Sequence, residues 1–267
     1  MKKAGLSAQE REVIDVLVEE ERVVIRADDV QDVWSGSRGA ANAMLSRLAR
    51  KGWLQRLKRG AYVVVPLGAG TDSPAIAAAW PIAAELFTPC FISGWSAAEH
   101  WGLTDQIFNT LALVTTHQQR ARDQRIGGIR FRVRTLPPQK VFGTENVWFG
   151  SARVQVANPH RTIIDVLDAP DFGGGGRHVL DIVKTYWRGS LCRPDMLLEY
   201  AKRFGRGTVF KRLGLTAEKF GDPSSEWIDE CKSGISRGIS LLDPDSPDAG
   251  PIVTRWGVRV NIPMEAE

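Results

Sequence analysis

Glu230-Cys231-Lys232 sets a carboxylate and an ammonium two positions apart, with Asp222 upstream as a second acid. This is the E-x-K half of a metal-dependent nuclease motif, whose chemistry converges carboxylates on Mg²⁺ with a lysine beside the attacked phosphate. The motif needs a strand at that point. Trp227, Ile228 and Cys231 share a helical face, so 224–233 reads as a helix instead. Gly173–Gly176 precede a helix and suggest a phosphate cradle. A P-loop requires Lys followed by Ser or Thr, however, and Arg177-His178 stands there. Ala169-Pro170-Asp171 also interrupts any incoming strand, so a connector is the better reading. His100, His117, His160 and His178 show neither H-x₃-H nor H-E-x-x-H spacing, and no serine sits in a G-x-S-x-G elbow. Cys90, Cys192 and Cys231 are odd in number and far apart, which argues against a disulfide framework and a zinc site. The expectation is no catalytic residue, no metal and no cofactor, hence not an enzyme.

Charge distribution points to a different chemistry. From Val33 to Thr71 the chain carries Arg38, Arg47, Arg50, Lys51, Arg56, Lys58 and Arg59, with neither Asp nor Glu. The preceding segment, 1–32, is acidic on balance. A short region of one sign attracts polyanions, and nucleic acid is the first candidate.

The elements that would present these charges form a winged helix-turn-helix. Ser7 and Glu10 make an S-x-x-E capping box, and Val13, Ile14, Leu17 and Val18 give a helix over 8–21. A short extended piece, 23–25, leads to a second helix at 27–34. Ser37 caps a third, which runs to Lys51 and stops at Gly52. A hairpin follows, with Lys58-Arg59-Gly60 as its turn and Pro66 as its end. On the third helix Ala41, Met44, Leu45 and Leu48 face a core, while Gly39, Asn42, Ala43, Ser46, Arg47 and Arg50 face away. Small residues, an amide and guanidiniums suit close approach to base edges and phosphates. The expected DNA-binding set is Ser37, Arg38, Asn42, Ser46, Arg47, Arg50 and Lys51 on or beside this helix, with Lys58 and Arg59 on the wing.

Beyond a linker at 67–75 the pattern is mixed. A helix begins near Pro74 and runs to Leu86, and a strand is expected at 90–93. Ser96 and Glu99 suggest a second capping box, opening a helix that ends at Gly102. Strands follow at 111–115, 129–134, 141–149 and 152–156. Asn158-Pro159 opens a helix, with further helices at 176–188, 194–204 and 206–213 and a closing strand at 257–262. The fold class is α+β: a winged helix-turn-helix (1–66), then a larger mixed α/β domain (76–267) with a central sheet flanked by helices. Within it Arg130, Arg132 and Arg134 alternate with Ile129, Phe131 and Val133. With Arg120, Arg122, Arg125 and Lys140 they make a second basic surface, readable as a phosphate-contacting face or as an ordinary solvated one.

Four blocks carry a family resemblance: FISGWSAAEHWGLTDQIF (91–108), VANPHRTIIDVLDAPDFGGG (156–175), VFKRLGLTAEKFG (209–221) and WGVRVNIP (256–263). In this order, after a winged helix, they resemble the AbiEi antitoxins, the regulator halves of type IV abortive-infection pairs. The resemblance implies binding to double-stranded operator DNA and repression of the protein's own operon. It also implies counteraction of an AbiEii-like nucleotidyltransferase toxin, with the body after the linker needed for that role. A Mg²⁺-dependent nuclease with a DNA-binding head, and a ligand-sensing transcription factor, are the alternatives.

Bulk properties fit a folded chain. Of 267 residues, 43% are hydrophobic and 25% charged, and the net charge is +4. The longest apolar run, 75–87, is broken by Pro81 and Glu85, too short to cross a bilayer. No membrane partner is expected, and a reducing cytoplasm is the expected compartment. Oligomeric state stays open, since no heptad or obvious dimer helix stands out.

Overall fold

The computed structural model describes residues 4–65 and 78–264. The linker at 67–75, Pro66 and Pro74 lie outside them.

Three helices and a hairpin form the winged helix: α1 (Ala8–Glu19), α2 (Ala27–Val33), α3 (Arg38–Arg50), β1 (Leu54–Lys58) and β2 (Ala61–Val64). The expected caps are present. Ser7 Oγ accepts from the Glu10 amide at 3.2 Å while the Ser7 amide donates to Glu10 Oε2 at 2.8 Å. Ser37 Oγ accepts from the Ala40 amide at 3.2 Å. Gly52, at φ +80°, ends α3 in the left-handed region. Met44, Leu45 and Leu48 are fully buried with Leu17 and Val30. Each such side chain contributes about 1.5–3 kcal/mol of hydrophobic stabilisation. The extended piece at 23–25 bridges the hairpin, Ile25 against Tyr62.

The body is built on a six-stranded sheet. Its elements are α4 (Ala79–Leu86), β3 (Cys90–Ile92), α5 (Gly94–His100), β4 (Thr110–Thr115), β5 (Asp123–Ile126), β6 (Ile129–Thr135), β7 (Thr144–Phe149) and β8 (Ala152–Ala157). The strand order is β5-β6-β4-β3-β8-β7. β3/β8 and β4/β6 are parallel pairs, and β3/β4, β5/β6 and β7/β8 are antiparallel. Helices α6 (Pro159–Asp168), α7 (Gly176–Arg188), α8 (Pro194–Phe204), α9 (Gly207–Phe220) and α10 (Ser225–Ser233) follow. A small sheet closes the chain: β9 (Ser240–Leu241), β10 (Ile252–Val253) and β11 (Val258–Arg259).

The α6 helix is buried almost throughout, charged residues included. Asn158 caps it, its side chain accepting from the Arg161 amide at 2.9 Å, and Pro159 occupies the first turn. Arg161 pairs with Asp165 at 2.9 Å and donates to the carbonyls of Lys140 and Phe142. Ser93 Oγ donates to Asp165 at 2.7 Å. Such pairing offsets the desolvation cost of charges placed in a core. The VFKRLG block is equally structural. Lys211 Nζ donates to Gly238 O at 2.6 Å, and Arg212 bridges Leu241 O and Leu167 O. Gly214 lies against Trp256, where a Cβ would collide with the indole.

Several sequence expectations shift. Ser96 and Glu99 do not open a helix: α5 starts at Gly94, and Ser96 Oγ accepts from the Ala112 amide inside the fold. Gly94 takes φ +56° because Phe172 packs against its backbone, which fixes the helix start earlier. Residues 138–140 form a 3₁₀ turn, so β7 begins at Thr144 rather than 141. The helix expected at 206–213 continues to Phe220. The closing strand shortens to Val258–Arg259, beside a partner strand of only two residues.

The winged helix is fastened to the body. Val24, Leu57, Ala61 and Val63 belong to the body's apolar cluster, while the three helices share a core of their own. Arg26 pairs with Glu85 at 3.1 Å, and the Ser151 amide donates to Glu21 Oε2 at 3.2 Å.

Candidate nucleic-acid interface

On α3 the expected division of faces holds. Gly39, Asn42, Ala43, Ser46, Arg47 and Arg50 are exposed, and the apolar residues opposite are buried. The individual side chains differ in their commitments. Ser37 spends its oxygen on the helix cap. Asn42 Nδ2 donates to Arg38 O at 3.0 Å, and Ser46 Oγ stands 3.5 Å from the Tyr62 hydroxyl. Arg38 pairs with Asp28 at 3.1 Å, both largely exposed. An exposed pair of this kind is worth little and exchanges readily for a phosphate.

Lys51, expected as a DNA contact, stands in an ion pair. Its Nζ lies 2.6 Å from Glu10 Oε2, and Arg47 Nε lies 3.7 Å from Glu10 Oε1. Glu10 is 4% exposed. The Lys51 hydrogen bond, and then that of the Ser7 amide, hold its carboxyl below the ordinary carboxylate value. Lys51 therefore serves the fold by neutralising a buried cap.

Lys58 and Arg59 are exposed at the hairpin tip. Among the described residues no acid stands within ion-pair distance of Arg50, Lys58 or Arg59. Immediately before the tip, Leu57 packs on Gly127, and Gln55 Nε2 donates to Gly127 O at 2.9 Å. Gly127 lies in the β5–β6 turn, which takes φ +58° there. The turn thus sets the exposed Arg125 and Arg130, opposite each other in register, beside the wing. Sequence reasoning read 129–134 as a strand but missed β5, so it had no hairpin to dock.

The second basic surface divides. Arg125 and Arg130 lie toward the wing, and Arg120 and Arg122 are exposed in the preceding loop. Arg132 and Arg134, expected on one stripe that reads either as a phosphate-contacting face or as a solvated one, are drawn into ion pairs along β6. Arg132 pairs with Asp123 and Asp171, and Arg134 with Asp168. The end of α6 and the 3₁₀ turn Pro170–Gly173 bring both of the later aspartates over the strand. No sequence periodicity linked these acids to the arginines.

The other constellations have structural employment. Glu230-Cys231-Lys232 sits in α10, with Glu230 paired to Lys202 and Cys231 buried. The Gly176 amide at the start of α7 donates to Asp243 Oδ2 at 3.3 Å, so a carboxylate already occupies that helix start. His178 is buried between Gly173 O and the Thr104 hydroxyl. His100 is exposed and packs against Trp80 and Trp101. Among the described residues no three His, Cys, Asp or Glu gather as metal ligands, and no helix is long and apolar enough to cross a membrane.

Residues 13–65 match the family of AbiEi antitoxin transcriptional regulators. The whole chain is similar in fold to the crystal structure of the RV2827C protein from Mycobacterium tuberculosis. That match covers 95% of this chain and 92% of the other, with a TM-score of 0.67 at 14% identity. No curated protein matches the sequence significantly.

Proposed function

We propose that this chain, whose residues 13–65 match the family of AbiEi antitoxin transcriptional regulators, binds the operator of its own operon and represses it. In this reading α3 enters the major groove, with Arg38, Asn42, Ser46, Arg47 and Arg50 toward the bases and adjoining phosphates. Lys58 and Arg59 hold the backbone from the wing, and Arg125 and Arg130 extend that grip from the body. The observation that carries the reading is the exposed basic face shared by α3 and the wing, on which Asp28 from α2 is an exposed acid, paired with Arg38. A solvated surface needs no such segregation, whereas a polyanion partner rewards it.

The second half of the proposal is antitoxicity: the chain counteracts a nucleotidyltransferase-like toxin, and the body is needed for it. The family match and the body blocks of the sequence support this half. Footprinting on the DNA upstream of the gene tests the first half, with a protected site expected there and none in unrelated DNA. Co-expression with the adjacent gene tests the second. Growth rescue by the full chain is expected, and rescue by residues 1–66 alone would contradict the role given to the body.

A further inference from the structure

The loop 116–122, β6 and the turn after α6 enclose a cleft of about 870 Å³. We propose that this cleft binds a compact anion carrying two or more phosphate groups, such as pyrophosphate or a nucleoside polyphosphate, through Arg120, Arg122, Arg132, Arg134 and Arg206. The inference goes beyond the operator reading and rests on different arginines from those assigned to DNA.

Two carboxylates organise the site, each held between two guanidiniums. Asp168, whose side chain is fully buried, accepts from Arg134 and from Arg206 Nη1, the latter at 3.0 and 3.1 Å. Asp171 Oδ2 lies 3.5 Å from Arg132 Nη1 and 3.8 Å from Arg122 Nη1. A guanidinium has five N–H donors, so each of these arginines keeps donors beyond those its aspartates take, Arg132 included, whose Nε serves Asp123. Packing fixes two of the planes further. The Arg132 guanidinium lies over the Trp95 ring at 5.7 Å, and that of Arg134 over Phe172 at 6.0 Å. Arginines held in place before a ligand arrives lose little freedom on binding it.

The charge balance selects the ligand class. Five guanidiniums line the cleft against two lining carboxylates, and Asp123 on β5, paired with Arg132, is a third acid at its edge, so positive charge remains in excess. One carboxylate ligand would leave part of that excess unmatched, whereas a multiply charged phosphate matches it and presents the oxygen geometry that guanidinium forks bind best. Trp95 and Phe172 are buried beneath arginines, so no aromatic face is open to stack a base. Recognition therefore falls on the phosphates. The volume lies within the range of small-molecule sites and leaves room for a nucleoside. A duplex backbone is a poor occupant, because the arginines line a concave site rather than an open face.

Calorimetric titration of the full chain at about physiological salt tests this, with pyrophosphate and ATP as separate probes. Saturable binding of at least one probe is expected. It should weaken at least tenfold in Arg206→Gln and in the double variant Arg120→Gln/Arg122→Gln. Arg120, Arg122 and Arg206 are exposed, and Arg134 still pairs with the buried Asp168 in Arg206→Gln; a thermal melt separates lost binding from lost stability, and the Arg120/Arg122 variant leaves Asp168 untouched. The pair Arg125→Gln/Arg130→Gln, outside the cleft, should leave binding unchanged. Equal affinities would assign the site to the phosphates, and tighter ATP would add a nucleoside contact. Absence of saturable binding by both probes overturns the proposal, as does equal weakening by the Arg125/Arg130 pair. Binding of a ten-nucleotide single strand at the cleft, without pyrophosphate binding, would replace the small anion with nucleic acid. Loss of operator binding leaves this readout untouched, so the two readings fail separately.

Discussion

Lys51 Nζ stands 2.6 Å from Glu10 Oε2, and this pair ties the end of α3 to the first turn of α1. A basic residue within an acid-free stretch is thereby turned inward, while its neighbour Arg50 stays exposed. The two residues adjoin in sequence, but Lys51 is half-buried against Glu10 and Arg50 is exposed.

Lys51→Ala should therefore destabilise the winged helix by about 1–3 kcal/mol, because it strips a partner from a buried carboxylate. Operator affinity, measured below the melting range, should stay near wild type. A large loss of affinity without loss of stability would return Lys51 to the DNA interface.

Acid should act through the same pair. The Glu10 carboxyl is held below its ordinary value of 4.5, so its contribution to stability is present above that pH and is lost as pH falls through the lowered value. Chemical denaturation from pH 6 to about pH 3 should show this loss. Glu10→Gln should flatten that part of the profile, and an unchanged profile would remove Glu10 as its source.

The wing and the docked hairpin should both appear in the salt dependence of binding. Replacing Lys58 and Arg59 by Gln should reduce the slope of log K against log salt by about two, if each meets one phosphate. Arg125→Gln/Arg130→Gln should reduce it by a similar amount. A slope unmoved by the second pair would confine the interface to the winged helix.

Gly214 gives a prediction for the body. A Cβ there collides with the Trp256 indole, which is itself fully buried and hydrogen-bonded to Glu218 at 2.7 Å. Gly214→Ala should cost about 1–3 kcal/mol by overpacking, read as a lowered melting temperature. Wild-type stability would mean that the small C-terminal sheet yields without cost.

Local signals made much of this legible. The capping box at Ser7, the Ser37 cap, the Gly52 stop and the Asn158-Pro159 start are short-range patterns, and each stands where the sequence placed it. The exposed face of α3 followed from helical period alone. What escaped depended on residues far apart in the chain. Asp168 and Asp171 neutralise part of the arginine stripe through tertiary packing. Lys51 finds Glu10 across the domain, and β5 is a short polar edge strand with little hydrophobic alternation. Ser96 and Glu99 imitated a helix start because the pattern does not reveal the Phe172 contact that begins α5 at Gly94.

The most direct test is the affinity of the full chain for its own operator after Arg47→Ala and Arg50→Ala, measured by fluorescence anisotropy beside a thermal melt. Groove contacts predict a loss of roughly 1–3 kcal/mol per base-contacting arginine, with the melting temperature of Arg50→Ala unchanged. Full operator affinity in both folded variants would contradict α3 as the reading helix.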